Sequence, residues 1–385
     1  MSDQHLGKFW KSNNSASNRA RKLIDYFIYN IKECCKQKKD YNLIFAGDLY
    51  ESIHTTAEML VYIKKRLSPE LLKFNHIYVI AGNHETFIDK NGDQQTLLSV
   101  ALDSVNTDLY YTGIGSCVLE DGINYIFIPF QNEIENIFEN EVPKYLRADC
   151  NNVIVSHITP KEIFSFEHMS IEKYIDQYNS LIGEGRIPYI ILGHYHEPCS
   201  LTYKGTKVIS IGNSYYLTIG DLRQSNAKKY KKRYLILEDN KLKSKEYALP
   251  PVYTFEIDSQ EVFDQQVVPF IKDPSNNISI NDIVYLRSKS VIDYSVLMFE
   301  GYDIYFDMLE NTDDGLITLK ESLSETINDN SSGKTLNERW NRYIDLIPEA
   351  SLSASEKAVA TWLFGKRNDN DITLNNIRGL LSAGK

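Results

Sequence analysis

The chain has few of the features that mark secreted, membrane-spanning or metal-ribbon proteins. Its five cysteines are scattered and no C-x-x-C occurs, so neither a disulfide framework nor a zinc ribbon is predicted. No apolar run reaches the roughly 18 residues that a transmembrane helix needs. No apolar stretch follows Met1, so a signal peptide is not predicted and we expect a cytoplasmic protein.

The chain also lacks an excess of positive charge. Its formal net charge is -10, so any contact with DNA would need a local basic patch, a bound metal or a partner subunit. The most basic stretch, KKYKKR at 228–233, is interpreted either as a nucleic-acid contact or as a solvated loop. Hydrophobic residues make up 42% of the chain, as in a globular protein. The 385 residues allow two or three domains.

What the sequence does contain is an alternation of apolar strands and amphipathic helices. Apolar residues four apart predict a helix over 19–36, and a second helix is predicted over 55–67, ending before Pro69. Short apolar runs predict strands at NLIFA, HIYVI, YIFIPF, NVIVSH, YIILG, KVISIG and RYLILE. This order predicts an α/β fold in layers, with sheets inside and helices outside.

The pattern changes after about residue 249. There, ALPPVYTFEID indicates a linker and a new strand, a helix is predicted over 259–272, and strand or mixed elements follow over 282–309. NDNSSGK near 328 is typical of a polar linker, and amphipathic helices are predicted beyond it. We therefore predict an α/β domain over 1–248, a small α+β domain over 249–327 and a helical tail over 328–385.

Residues of metal-binding type follow the predicted strands, at the strand ends where sites of α/β sheets gather. Four of them, Asp48, Asn83, His157 and His194, each follow or end an apolar strand. Together with the nearby motif residues, the full set is Asp3, His5, Asp48, Asn83, His84, His157, His194 and His196. Carboxylate, amide and imidazole groups without a thiolate suit Mn²⁺, Fe²⁺ or Zn²⁺. The set is too large for one ion, so a two-metal centre with a bridging carboxylate is predicted.

The motifs DQH, GDLYE, GNHE, SH and GHYH follow one another in an order that resembles the calcineurin-like metallophosphoesterases. DQHLG and IGNSYYLTIGD (211–221) resemble the DNA-repair exonuclease branch in particular, which comprises SbcD-type nuclease subunits and their phage recombination relatives. The resemblance covers residues 1 to about 240. It implies an α/β/β/α sandwich, and it extends more weakly to the part after 250, which is similar to the family's capping domain.

The resemblance implies a role for each matched residue. The ion of the first metal position would be held by Asp3, His5 and His196. The ion of the second metal position would be held by Asn83, His157 and His194. Asp48 would bridge both ions, and His84 would act at the scissile phosphate. Glu51 and Glu85, which end their motifs, are interpreted as residues that orient the ligands.

The resemblance also implies a function. It indicates a Mn²⁺-dependent nuclease that works as an exonuclease on duplex ends and an endonuclease on single strands, with a two-metal-activated water. An SbcC-type ABC ATPase partner contacted by the helical tail, a homodimer, and a role in DNA repair or recombination of a bacterium or phage are implied as well. Two alternatives stay open: hydrolysis of a small phosphodiester or a phosphoprotein, and a non-catalytic scaffold that binds DNA ends.

The Asp-x-His pair lies at the very beginning of the chain. In the resembled family an apolar strand precedes this pair, whereas only Met1 and Ser2 precede it here. Ordering Asp3 from a frayed end would cost about 1–2 kcal/mol for each residue fixed. We therefore expect the natural start codon to lie upstream of Met1.

Overall fold

The computed structural model describes residues 1–8, 18–37, 41–53, 56–91, 93–98, 102, 108–110, 113–119, 121–165, 167–226 and 231–308. Met1–Glu310 forms one compact unit, and a second unit, Asn311–Lys385, lies outside the described residues. The tail predicted over 328–385 lies outside them as well, and the boundaries at 248 and 327 stay predictions. Within the described ranges, no helix combines the length and apolar character needed to cross a membrane.

The described residues form sixteen strands and eight α-helices, and the two kinds of element alternate in much of the chain. The strands are β1 Leu43–Ala46, β2 Ile77–Ile80, β3 Thr86–Ile88, β4 Gln94–Thr96, β5 Asp108–Tyr110, β6 Gly115–Val118, β7 Asn124–Ile128, β8 Asn152–His157, β9 Tyr189–Gly193, β10 Cys199–Tyr203, β11 Thr206–Ser210, β12 Arg233–Glu238, β13 Lys241–Glu246, β14 Val252–Ile257, β15 Ile283–Ser288 and β16 Asp303–Met308. The α-helices are α1 Asn18–Gln37, α2 Ala57–Leu71, α3 Ile134–Asn136, α4 Ile171–Ile182, α5 Ile219–Asn226, α6 Gln260–Val262, α7 Val268–Lys272 and α8 Ser295–Phe299. Single π or 3-10 turns are Ile137–Glu141, Val142–Tyr145, Phe263–Val267 and Pro274–Asn276.

The two long N-terminal helices form where the apolar spacing predicts them. In α1, Leu23, Phe27 and Ile31 are buried along one face. The predicted end of α2 is wrong, because this helix continues through Pro69 to Leu71. Proline in the last turn removes few of the helical hydrogen bonds, and burial of Leu71 favours the extra turn.

The described residues up to Ser210 are built from four layers, and the predicted α/β/β/α sandwich is confirmed. A parallel sheet has the order β1-β2-β5, and a mixed sheet has the order β10-β11-β9-β8-β7-β6. Side chains of both sheets meet in one core cluster, which includes Ile80 from β2 and Phe127 from β7. Helices α1 and α2 cover the outer side of the first sheet. Helix α4 and the turns over 134–145 cover the outer side of the second.

The part after residue 250 is a three-stranded sheet, but it is not of the predicted α+β type. Strands β14, β15 and β16 are all parallel, with helical turns between them, which is an α/β arrangement. One face buries Val284 and Leu286 against these helical turns. The other face contributes Ile283 and Tyr285 to the core cluster of α1. We call residues 252–308 the C-terminal sheet unit.

The first residues of the chain run alongside β1. The Met1 ammonium donates to the Ile44 carbonyl at 2.8 Å, and the Ala46 amide donates to the Met1 carbonyl at 2.8 Å. The Asp3 amide donates to the Gly47 carbonyl at 3.1 Å. This pairing brings the Asp-x-His motif to the carboxyl end of β1.

Candidate metal centre

The predicted ligands lie together at one edge of the sandwich. Asp48 and Asn83 follow β1 and β2, His157 ends β8, and His194 follows β9. These four strands run parallel to their neighbours β2, β1, β9 and β8. Their carboxyl ends therefore meet, as expected for a site in an α/β fold. The His5 amide donates to the Asp48 carbonyl at 3.0 Å, which fixes the N-terminal motif to the same edge.

At the first metal position, two imidazoles face each other beside a buried carboxylate. The Nε2 atoms of His5 and His196 are 3.1 Å apart. Asp3 Oδ1 lies 4.0 Å from His196 Nε2, and Asp48 Oδ2 lies 3.8 Å from His5 Nε2. One ligand atom from each of Asp3, His5 and His196 lies within 4.8 Å of the others, so the three could share one ion.

At the second metal position, the donor atoms converge on the Asn83 amide oxygen. His157 Nε2 lies 3.2 Å from Asn83 Oδ1, and His194 Nδ1 lies 3.0 Å from the same oxygen. His157 Nε2 is also 3.2 Å from Asp48 Oδ2. Asp48 therefore reaches both positions, which is the placement that a bridging carboxylate needs.

The donor set fits divalent metal ions. Ligands at about 2.0–2.2 Å from an ion and at right angles are about 2.8–3.1 Å apart. The pair His5–His196 and the contacts around Asn83 have separations close to this value. The His157 Nδ1–H donates to the Ala46 carbonyl at 2.8 Å, so its Nε2 lone pair faces other acceptor atoms. Such a cluster of lone pairs requires a cation or extra protons.

The pKa shifts of Asp48 and His157 also indicate that the centre binds positive charge. Burial would raise the pKa of the Asp48 carboxyl, but the neighbouring His157 outweighs burial and holds this pKa well below its ordinary value. Burial would lower the pKa of His157, but the Asp48 carboxylate raises it to about 9. In the protein without ions, a proton on His157 thus balances the bridging carboxylate.

The backbone of the centre adopts conformations that ordinary residues avoid. Positive φ angles occur at Asp3 (53°), His5 (48°), Asp48 (50°) and His194 (82°). Left-handed conformations of this kind cost roughly 1–3 kcal/mol each outside glycine. They turn the side chains toward the two metal positions, so strain is concentrated at the predicted ligands.

Two motif glycines allow the close approach of the ligands. A Cβ at Gly47 would lie 2.0 Å from His157 Nδ1, and one at Gly82 would lie 1.9 Å from Asp48 Oδ1. Because real Cβ contacts are never this short, any other residue would displace a predicted ligand. The glycines of GDLYE and GNHE are therefore steric requirements of the site.

Glu51 orients two histidines of the centre. Its Oε2 lies 2.8 Å from His5 Nδ1, and the negative charge of this carboxylate favours a proton on Nδ1, which leaves Nε2 for an ion. Burial opposes the charge on Glu51, but the His5 contact lowers its pKa to about 2. The Glu51 carbonyl accepts from His84 Nδ1 at 2.8 Å, so Nε2 is the His84 nitrogen left for proton transfer.

Glu85 connects the loops of the GDLYE and GNHE motifs through hydrogen bonds to their main chain. Its carboxylate accepts from the Tyr50 amide at 2.7 Å and from the Gly82 amide at 3.1 Å, and the residue is fully buried. Burial and the nearby Asp48 charge raise the pKa of Glu85 to about 8. Glu85 is not among the groups that could hold an ion within the described residues.

Some residues of the site were not singled out from the sequence. Phe130 packs against His157 and His194, with ring centroids 6.5 and 6.2 Å away. The Ser2 hydroxyl donates to the Asp3 carboxylate, and its oxygen also lies 3.1 Å from the Ala46 carbonyl oxygen. Neither residue stands in a recognisable spacing, so the sequence offered no signal for them.

Fold and donor set together define a metallophosphoesterase, a hydrolase of phosphoesters. The calcineurin-like phosphoesterase family model matches residues 1–198, and the chain belongs to this family. Members of this family bind divalent metal ions, and the described residues include candidate ligand clusters for them. A search of curated proteins found no match.

Two solved structures are similar to part of this chain. One is a phosphopantetheinyl hydrolase from Mycobacterium tuberculosis, with 15% identity, a TM-score of 0.32, and 55% of this chain and 87% of that chain covered. The other is a putative 5'-nucleotidase from Staphylococcus aureus in complex with alpha-ketoglutarate, with 19% identity and a TM-score of 0.34. That match covers 55% of this chain and about half, 48%, of the nucleotidase.

Proposed function

We propose that the chain is a two-metal phosphodiesterase that cleaves DNA, a nuclease subunit of SbcD type. The observation that carries the proposal is the spacing of the donor atoms around Asp48, which suits two ions sharing one carboxylate. When bound, such a pair of ions lowers the pKa of water and neutralises phosphate oxygens. The combined carboxylate, amide and imidazole ligands suit Mn²⁺, Fe²⁺ or Zn²⁺, and of these we propose Mn²⁺ from the resemblance to the nuclease branch.

The residues of the chain supply the rest of the chemistry. The Glu51 carbonyl fixes the His84 ring through Nδ1, so its Nε2 can hold a proton near the scissile phosphate. A departing sugar oxygen needs a proton or a positive partner, and imidazole provides either near neutral pH. The backbone strain at four of the predicted ligands pre-orients them, so binding of the ions requires little rearrangement.

A large substrate is supported by what borders the centre. The segment IGNSYYLTIGD, which resembles the nuclease branch, donates hydrogen bonds to the main chain of His196 and Asp3. The C-terminal sheet unit contacts the same segment, because the Tyr305 hydroxyl donates to the Tyr216 carbonyl at 2.7 Å. The sheet unit is thus joined to the segment that holds the main chain of His196 and Asp3, and this added structure favours a polymer over a small phosphoester.

The test is cleavage of a labelled linear duplex and a single-stranded circle in Mn²⁺, with bis-p-nitrophenyl phosphate as a small diester. We expect cleavage of DNA that chelation abolishes and that His84→Gln lowers about 10²–10⁴-fold. The matched control is His76→Gln, an exposed histidine at the opposite end of β2. Hydrolysis of the small diester without DNA cleavage would overturn the DNA substrate in favour of a small-molecule phosphodiesterase.

The partners are proposed from the resemblance alone. We propose an SbcC-type ABC ATPase that binds the segment over 328–385, a homodimer, and a place in repair or recombination in the cytoplasm of a bacterium or a phage-infected cell. The measurement is light scattering of the full chain, alone and with a purified SbcC-type ATPase. A monomer that does not bind this ATPase would contradict these proposals. If DNA is bound but neither substrate is hydrolysed with the partner present, the chain is a scaffold instead.

A further inference from the structure

A buried polar network lies behind the first metal position. Its members are Asn213, Asp221 and Lys232, which are 0%, 5% and 3% exposed. The Lys232 ammonium donates to the side-chain oxygens of both Asp221 and Asn213. The Asn213 amide group donates to Asp221 Oδ1 at 3.1 Å, so each side chain contacts the other two.

The network closes the loop between β11 and α5. Asp221 Oδ2 accepts from the Leu217 amide at 3.1 Å and the Thr218 amide at 2.9 Å. The Asp221 amide donates back to Thr218 Oγ1 at 3.1 Å, which is the reciprocal pattern of a capping box. Asp221 therefore fixes the loop at one end, while Asn213 fixes it at the other.

The loop in turn holds the main chain of two predicted ligands. The main-chain N–H of Asn213 donates to the His196 carbonyl at 3.1 Å, and the main-chain N–H of Ser214 donates to the Asp3 carbonyl at 3.3 Å. Both ligands belong to the first metal position. None of the residues of the second position receives a hydrogen bond from this loop within the described part of the chain.

We propose that Lys232 is a positioning residue for the first metal position. Its ammonium neutralises the Asp221 carboxylate and holds Asn213, and these two residues fix the loop that fixes His196 and Asp3. Removing one partner of a buried ion pair leaves an uncompensated charge, and such a charge draws in water and loosens its surroundings. The inference rests on the proposed two-metal function, because it concerns how one of the two ions is held.

The proposal changes the interpretation of the basic stretch KKYKKR. Lys232 is a buried structural cation, so it is not available to a DNA backbone. Its neighbour Lys231 is exposed and pairs with Glu246 at 2.9 Å, at the surface. Lys231→Met therefore removes the same charge from the same stretch without touching the network, and it is the matched control.

The experiment is a calorimetric titration of the metal-free full chain with Mn²⁺. For Lys232→Met we expect one ion to bind with the wild-type constant and the other about 10–100-fold more weakly, since residues that orient ligands have effects of this size. Lys231→Met should bind both ions as the wild type does. Equal binding of both ions by Lys232→Met and wild type would overturn the inference.

Two further backgrounds show which ion is affected. His157→Ala disables the second position, so adding Lys232→Met should weaken the single remaining ion. His5→Ala disables the first position, so adding Lys232→Met should change nothing, and a loss of affinity in this background would contradict the proposal.

If Lys232→Met does not fold, the double variant Asp221→Asn/Lys232→Met removes both charges and serves instead, with the same weakening expected. Wild-type protein that binds fewer than two ions would overturn the proposed function instead of the role of Lys232.

Discussion

The metal centre and the C-terminal sheet unit use opposite ways of burying their side chains. At the centre, Asp3, Asp48 and His157 are almost fully buried next to other polar groups, and the backbone at Asp3 and Asp48 has positive φ angles. In the sheet unit, the central strand β15 buries apolar residues such as Leu286 in an ordinary extended conformation. The first region is arranged to bind ions at a cost to folding. The second region supplies stability through apolar burial.

Charged groups are also treated differently in the two regions. Asp307 in the sheet unit is paired with Arg223 through two hydrogen bonds, one of them 2.9 Å from Nε. Asp48 at the centre has no arginine or lysine partner within the described residues, and its neighbours are imidazoles. A carboxylate with a permanent cation is satisfied in the fold, whereas one beside titratable rings remains available to a metal ion.

The largest effect on stability is expected in the sheet unit. Leu286→Ala removes a fully buried side chain and should lower the free energy of unfolding by about 2–5 kcal/mol. Urea titration of the metal-free protein measures this change, and Mn²⁺ affinity of the folded fraction should stay as in wild type. Val291→Ala is the control, because Val291 is 77% exposed and should change stability by less than about 0.5 kcal/mol. A loss of metal affinity in Leu286→Ala would show that the two regions are coupled.

A large effect on hydrolysis with little effect on stability is expected at Asp48. Asp48→Asn removes the bridging charge and should lower the rate of phosphodiester hydrolysis about 10²–10³-fold. Stability of the metal-free protein should change by less than about 1 kcal/mol, because His157 can release its proton and leave no unpaired buried charge. Steady-state rates and urea titration measure the two quantities. Asp239→Asn is the control, since exposed Asp239 has the same φ angle of 50°. Unfolding of Asp48→Asn would refute the contrast between the regions.

A smaller effect is expected from steric displacement of the bridging carboxylate. Gly82→Ala places a Cβ against Asp48 Oδ1 and should weaken binding of both ions about 10–100-fold. Calorimetric titration with Mn²⁺ checks this, with Gly113→Ala as control, because a Cβ at Gly113 meets no atom within 4 Å. Wild-type affinity in Gly82→Ala would mean that the Asp48 side chain can move without loss.

The smallest effect is a pH dependence in the sheet unit. Burial would raise the pKa of Asp307, but hydrogen bonds from Arg223 and Tyr285 outweigh it and lower this pKa. A carboxyl group with a lowered folded-state pKa stabilises the fold above its unfolded value near 3.9, and this contribution is lost as the pH falls through the folded pKa.

The corresponding measurement compares wild type with Asp307→Asn. The difference in the free energy of unfolding should be constant above about pH 5 and shrink below about pH 4. Exposed Asp258 provides the control variant Asp258→Asn, whose difference from wild type should be small at each pH. A difference that grows on acidification would show that Asp307 does not stabilise the sheet unit as a charged group.

Much of the fold could be predicted from local patterns. The strands β1, β2, β8 and β9 follow from short apolar runs, and α1 follows from its apolar spacing. The end of α2 was missed, because a proline rule is local whereas burial of Leu71 is a tertiary effect. The all-parallel pairing of β14, β15 and β16 was missed too, since strand direction depends on how the connections cross the sheet.

For the site, the residue types and their motif spacing suggested the eight side chains, and the structure brings all eight to one edge. Their assignment to two metal positions came from the resemblance to metallophosphoesterases and stays a prediction. The buried role of Lys232 could not be predicted, because a basic stretch has the same appearance whether its cations face solvent or a buried carboxylate.

The sequence by itself determined the class of side chains available and the order in which the strands deliver them, because motif spacing and apolar periodicity are local properties. Only the tertiary structure decided which donor atoms meet, which backbone is strained and which charges lose water. These depend on contacts between residues such as Asp3 and His194, which are 191 positions apart in the chain and joined by a hydrogen bond. Such contacts form only when the two sheets pack, and packing is a property of the whole fold.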